Sequence, residues 1–169
     1  MGDLAGRRVL DAGCGDGALI YAAASRGAVA TGVDPDSAML AAARSRVGGA
    51  TWDVTFVEGR VEQLPFREAS FELVAAIAVL CFVPDVVSAV RELARVLRPG
   101  GRLVLGELGR WSWWAAIRRA RGWLGSSTWA AAWFRTVAEL KALARQPGLC
   151  VTGVRSGVYY PRLAYLPAL

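Results

Sequence analysis

Residues 9–17 read Val9-Leu10-Asp11-Ala12-Gly13-Cys14-Gly15-Asp16-Gly17. A short apolar run gives way to three alternating glycines, and alanine, leucine and isoleucine follow. This is the pattern of a strand that hands over to a helix through a narrow turn. Glycine serves two purposes there. It accepts the positive φ of a tight turn, and its bare backbone lets a ligand approach closely. The helix that follows offers unpaired N–H groups in its first turn. The spacing is G-x-G-x-G, not the G-x-G-x-x-G of the dinucleotide fingerprint. A glycine turn of purely structural purpose is the competing reading.

On either side of this turn, short β-forming runs alternate with helical patterns, which predicts βαβ units and a parallel sheet. The expected strands are Arg8–Ala12, Ala28–Val33, Val54–Glu58, Phe71–Val79, Arg102–Gly106 and Val151–Tyr159. The fourth is apolar on both faces, as a central parallel strand should be. Helices are expected over Asp16–Ser25, Asp36–Arg46, a stretch starting near Pro84-Asp85, Trp111–Leu124, and Thr136 to Arg145. In the third of these, Val86, Val90, Leu93 and Leu97 form a stripe at helical spacing. Thr136 and Glu139 have the spacing of a capping box.

The 169 residues suit one domain, with a core at about 7–108 and a tryptophan-rich segment at about 109–135. Apolar residues make up 54% and charged residues 20%, a balance that argues against disorder. The net charge is +6, carried by nineteen arginines and a single lysine, Lys141. These arginines are scattered, which fits solvated faces better than a nucleic-acid groove. With no histidine and only Cys14, Cys81 and Cys150, far apart, the chain lacks the usual zinc ligands. A reducing, cytoplasmic setting is the default expectation. The N-terminus lacks an apolar signal stretch. The longest apolar run, Leu73 to Val83, is about half of the ~20 residues a spanning helix needs.

Asp34, in Gly32-Val33-Asp34-Pro35-Asp36, falls at the tip of the second strand. In open α/β sheets an acidic residue there binds ribose hydroxyls, because a carboxylate can accept two hydrogen bonds from a diol. A helix N-cap is the alternative, but Asp36 fits that role better.

Together the glycine turn and Asp34 resemble the class I S-adenosylmethionine-dependent methyltransferases, most closely the methyltransferase type 11 group. Leu64-Pro65-Phe66 is similar to that group's turn before the fourth strand, and Arg95-Val96-Leu97-Arg98-Pro99-Gly100-Gly101 to its helix-to-strand turn. The resemblance implies a Rossmann-like three-layer αβα sandwich with a mostly parallel sheet, with S-adenosyl-L-methionine as cofactor. It also implies a cofactor site of Asp11, Gly13, Cys14, Gly15, Asp34, Pro35, Met39, Val61 and Ala78. Asp11 to Gly17 would surround the methionine part, Asp34 the ribose, and Met39 either adenine or the helix core. Ala76 to Val83 should border the reactive methyl.

Arg60 departs from the pattern. The group commonly has an aspartate there, accepting from the adenine amino group, whereas arginine has no acceptor. The adenine contact then falls to backbone near Val61, or to Glu62. Cys81 lacks an evident cationic partner and reads as a buried hydrophobe rather than a nucleophile. Glu107, just past the fifth strand, is the one carboxylate expected near the acceptor side; capping or pairing with Arg110 is its other role.

Six of the seven tryptophans lie between Trp111 and Phe134. On a helix Trp113, Ile117, Ala120 and Leu124 would share one face, and Trp111, Trp114, Arg118 and Arg121 a neighbouring one, where arginine can stack on indole. A lid over an apolar or aromatic acceptor, plain packing, and a membrane-surface contact all fit this segment. Both ends are short for the group. About seven residues precede the first strand, and a tail with Pro161 and Pro167 is a poor seventh, antiparallel strand. That predicts six strands, an open pocket, and an exposed sheet edge available for dimerisation.

The function expected is methyl transfer to a small-molecule acceptor, mainly by positioning. A non-catalytic or incomplete cofactor-binding module is the alternative. A nicotinamide-dependent reductase fits less well, given the glycine spacing and the absence of a Tyr-x-x-x-Lys pair.

Overall fold

The computed structural model describes residues 4–156, the side chains of residues 127 and 128 excepted. Five strands form one sheet: β1 (Arg8–Ala12), β2 (Val29–Asp34), β3 (Val54–Glu58), β4 (Phe71–Ile77) and β5 (Leu97–Gly106). Their order is β3-β2-β1-β4-β5, and every pairing is parallel. Helices α1 (Ala18–Ala24), α2 (Ser37–Val47), α3 (Val86–Val96), α4 (Trp113–Trp123), α5 (Ser127–Ala130) and α6 (Val137–Arg145) complete the elements of the described residues, with a 3₁₀ turn at Leu80–Phe82.

Strand alternation divides the core into two layers. Val9, Ala30 and Leu73 point toward α1 and α2, where they meet Ile20, Ala23 and Leu40. Leu10, Val33 and Val74, on the opposite face of the same strands, point the other way, toward Val90, Leu93 and Val96 of α3 and Leu140 and Leu143 of α6. Successive residues of a strand face opposite sides, so a strand apolar on both faces needs helices on both. The expected αβα sandwich follows.

The expected ends shift where local chemistry intervenes. Helix α1 begins at Ala18 rather than Asp16, because Gly17 caps it in a left-handed conformation at φ 77°. Strand β4 stops at Ile77 rather than Val79, since Ala78 turns the chain away at φ 56°. Strand β5 starts early, at Leu97, and the register slips between Phe71 and Leu73 so that Pro99-Gly100-Gly101 sits within the irregularity. Leu97 leaves the α3 stripe but stays in the same core. Helix α4 is shorter at each end than expected, with Ser112 as N-cap. The capping box of Thr136 and Glu139 is present.

The sixth strand is a correction. Residues 151–156 form no strand, and the rest of the expected Val151–Tyr159 run, like the proline-containing tail, lies outside the described residues. Val151 and Val154 are instead exposed. Strand preference depends on the tertiary context a β-branched run meets, and here it is not realised. Among the described residues, no helix is long and apolar enough to cross a membrane.

Candidate functional site

The C-terminal ends of β1, β2, β3 and β4 open into a cleft of about 350 Å³, within the range of roughly 300–1,000 Å³ common to ligand pockets. Clefts at this end of an open parallel sheet are the usual ligand sites. Its floor is Gly13 and its first wall Asp34 and Pro35, followed by Gly59, Arg60, Val61 and Glu62 beyond β3. The opposite wall is Ile77, Ala78, Val79, Phe82 and Val83.

Gly13 has φ 78°, and a Cβ there would lie 2.4 Å from Cγ2 of Val79. The position thus requires glycine for both backbone and space. The loop is held from below: the N–H groups of Gly13 and Cys14 donate to the Val33 carbonyl at 2.7 and 3.0 Å. Asp34 then ties loop to wall. Its Oδ2 accepts from the Gly15 N–H and its Oδ1 from the Asp36 N–H, both at 2.9 Å. Asp36 caps α2 through its own side chain, as expected. Asp34 is therefore free of capping duty, and each of its oxygens keeps lone-pair capacity toward the cleft.

Asp11 lies beneath the loop, 4% exposed. Burial, reinforced by the Asp34 charge, pushes its carboxyl up to about 7. Cys14 is buried with its thiol pushed up to about 12, by burial first and then by Asp11 and Asp34. Its sulfur serves packing: a Cβ on Gly32 would meet it at 2.8 Å.

Of the nine expected cofactor residues, Gly13, Asp34, Pro35, Val61 and Ala78 line the cleft. Asp11, Cys14 and Gly15 support it from beneath or beside it. Met39 is 41% exposed on α2 and is not among the lining residues. Gly59 was missed; a Cβ there would lie 3.1 Å from Val33, and its place directly after a strand was the available signal. Arg60 does reach the cleft, where its guanidinium pairs with Glu62 at 2.8 Å.

Just past β5, Glu107 accepts from the Leu80 N–H at 2.8 Å and so holds the 3₁₀ turn that follows β4. Burial raises its carboxyl above the ordinary range. The carboxylate that Arg110 pairs with is Glu139, at 3.1 Å. The Cys81 thiol is pushed up to about 12 by burial and then by Glu107, which makes a poor nucleophile at neutral pH. Arg135 donates to the Leu80 carbonyl at 2.6 Å. Trp129 packs on Phe82, ring centroids 5.4 Å apart, bringing α5 to the rim of the cleft.

The donor set suits S-adenosyl-L-methionine. A fixed carboxylate matches a ribose diol, bare glycine backbone permits close approach, and Val61, Ile77, Val79 and Phe82 supply apolar walls.

Residues 10–105 match the family described as Methyltransferase domain (Methyltransf_11). The ubiquinone biosynthesis O-methyltransferase of Alkalilimnicola ehrlichii is 40% identical over 111 residues, 65% of this chain and 45% of that protein. The 27-O-demethylrifamycin SV methyltransferase of Amycolatopsis mediterranei is 40% identical over 106 residues, 61% of this chain and 39% of that one. The chain thus spans under half the length of these curated relatives. A crystal structure of an S-adenosylmethionine-dependent methyltransferase from Thermotoga maritima superimposes with a TM-score of 0.70 at 28% identity, covering 84% of this chain and 63% of its own.

Proposed function

The chain belongs to the Methyltransferase domain family of S-adenosylmethionine-dependent methyltransferases, and from that premise we propose that it methylates a small apolar or aromatic acceptor by in-line displacement. The junction of Asp34 with the glycine loop carries this reading. With ribose hydroxyls on Asp34, Gly59–Glu62 beyond β3 would hold the base, because β3 is the neighbour of β2. Gly13 and Ala78, past the ends of β1 and β4, would hold the methionine part. Val61 would offer backbone to the base and Pro35 would border it, whereas Met39 lies on α2 outside the cleft lining. Asp11, Cys14 and Gly15 keep the loop in shape.

The cofactor supplies an activated methyl on a sulfonium, which leaves proximity and alignment to the protein. Glu107 acts as a positioning residue, ordering the turn at Leu80–Phe82 that forms one wall. Both curated relatives are named as methylating oxygen or an O-demethyl compound, which supports an oxygen acceptor.

A second reading has its own support. Arg60 faces the cleft with donors only, held by Glu62, which favours a weakened or non-catalytic module. Calorimetric titration with S-adenosylhomocysteine separates the two. Under the first reading the chain binds, and Asp34→Ala weakens binding by roughly 10–100-fold, the loss of one or two charge-assisted hydrogen bonds. A folded wild type that does not bind supports the second. With binding intact, Glu107→Gln keeps turnover, since the amide oxygen still accepts from Leu80; complete loss would make Glu107 a general base instead.

A further inference from the structure

Between Glu107 and Glu139 the charged residues are Arg110, Arg118, Arg119, Arg121 and Arg135, all positive. Five of the chain's net six charges therefore fall in this stretch, against the scatter expected for the whole chain. It also contains six of the seven tryptophans.

Helix α4 sorts these side chains. Its inner face holds Ala115, fully buried, and Gly122, where a Cβ would lie 3.0 Å from the backbone of Trp129 in α5. The Arg118 guanidinium stacks over Trp114 and Trp129, at 5.5 and 4.5 Å from the ring centroids. The outer face is different. Trp113 is 77% exposed, Trp123 85% and Leu124 86%. Trp113 and Leu124 are about three helical turns apart and so lie in line. Arg121 is exposed at their flank.

Large apolar side chains clustered on one exposed face mark an interaction surface. Indole is suited to the headgroup level of a bilayer, and arginine beside it is drawn to anionic lipid. An eleven-residue helix is too short to span a membrane and the right kind to lie flat on one. We propose that the outer face of α4 docks on an anionic lipid bilayer, with Trp113, Trp123 and Leu124 at headgroup level and Arg121 on lipid phosphate.

The docking face is tied to the cleft. Helix α4 packs on α5, whose Trp129 touches Phe82. The Trp133 N–H donates to the Cys81 carbonyl at 2.7 Å, a second link to the 3₁₀ turn. Docking would hold the cleft near the lipid, where an apolar acceptor is concentrated. That use of the surface rests on the proposed acceptor class; docking itself does not.

Co-sedimentation with phosphatidylcholine/phosphatidylglycerol vesicles, beside pure phosphatidylcholine vesicles, tests the proposal. The wild-type chain should sediment with the anionic vesicles and be released by salt. A Trp113→Ala/Trp123→Ala variant and, separately, Arg121→Glu should each weaken partitioning by roughly tenfold, with thermal unfolding unchanged. Failure of the wild type to bind either vesicle overturns the proposal, as does a folded double variant that binds like wild type. A concentration-dependent dimer that the double variant abolishes, without vesicle binding, overturns it in favour of a second copy. Because the readout needs neither cofactor nor turnover, failure here is separable from failure of the methyltransferase reading.

Discussion

Strand β4 and helix α4 are both rich in apolar residues, and the tertiary structure treats them in opposite ways. Val74, Ala75 and Ala76 of β4 are almost completely buried, flanked by β1 and β5 in a sheet with helices packed on both faces. Trp113 and Trp123 of α4 stand in the open, because α5 covers one side of the helix and the described residues cover little of the other. Apolar content therefore does not decide burial. What decides it is whether the topology supplies a partner for each face. In the sheet it does so twice over, and the cleft inherits that rigidity through the Gly13 loop.

The contrast can be broken or sharpened by measurement. The largest effect expected is electrostatic. The Asp11 carboxyl sits at about 7 in the folded chain against 3.8 unfolded, so the folded state holds its proton more tightly. The stability Asp11 contributes is full below about pH 4 and is lost as pH rises through 7. Denaturant unfolding of wild type against Asp11→Asn should show the wild type losing up to about 4 kcal/mol relative to the variant between pH 4 and pH 8. A pH-independent difference would mean that Asp11 is solvated in the folded chain and not buried beneath the loop.

Gly13→Ala should cost about 3 kcal/mol, from positive-φ strain and the contact with Val79 together. Adding Val79→Ala should return the steric part only, and denaturation of the four members of that cycle measures it. Leu93→Ala, in the α3 face against the sheet, should cost a comparable ~3 kcal/mol through the cavity it leaves. The smallest effect belongs to the other side of the comparison: Trp123→Ala should change unfolding stability by less than about 0.5 kcal/mol. A large loss there would show α4 covered in solution by something stable, and would count against a surface kept open for lipid.

Much of the site was legible because its requirements are local. Gly13 must be glycine to turn, Asp34 ends a strand, and Asp36 starts a helix; each shows in two or three neighbouring residues. The stack of Arg118 on Trp114 was legible for the same reason, since four residues along a helix are neighbours. Val79 crossing over Gly13, Glu107 reaching Leu80 and Arg135 reaching the same turn join residues 27 to 66 positions apart, and no local pattern marks them. The end of β4 was hidden differently. Alanine at φ 56° is uncommon, and only its surroundings hold Ala78 there, with its N–H on the Gly106 carbonyl at 2.6 Å. Residues 151–156 form no strand although Val151, Thr152 and Val154 favour one, because strand preference depends on tertiary context.

By itself, the sequence determined the alternation of strand and helix, the parallel sheet, the glycine loop with its acidic neighbour, and the family. All of these follow from periodicity, backbone permission and charge over short stretches of chain. The tertiary structure decided which residues face the cleft, that Arg60 is one of them, that Glu107 serves a turn, and that Trp113 and Trp123 of α4 face outward while Trp114 does not. Those outcomes depend on which surfaces the fold brings into contact, and burial is a property of the assembled chain rather than of any residue within it.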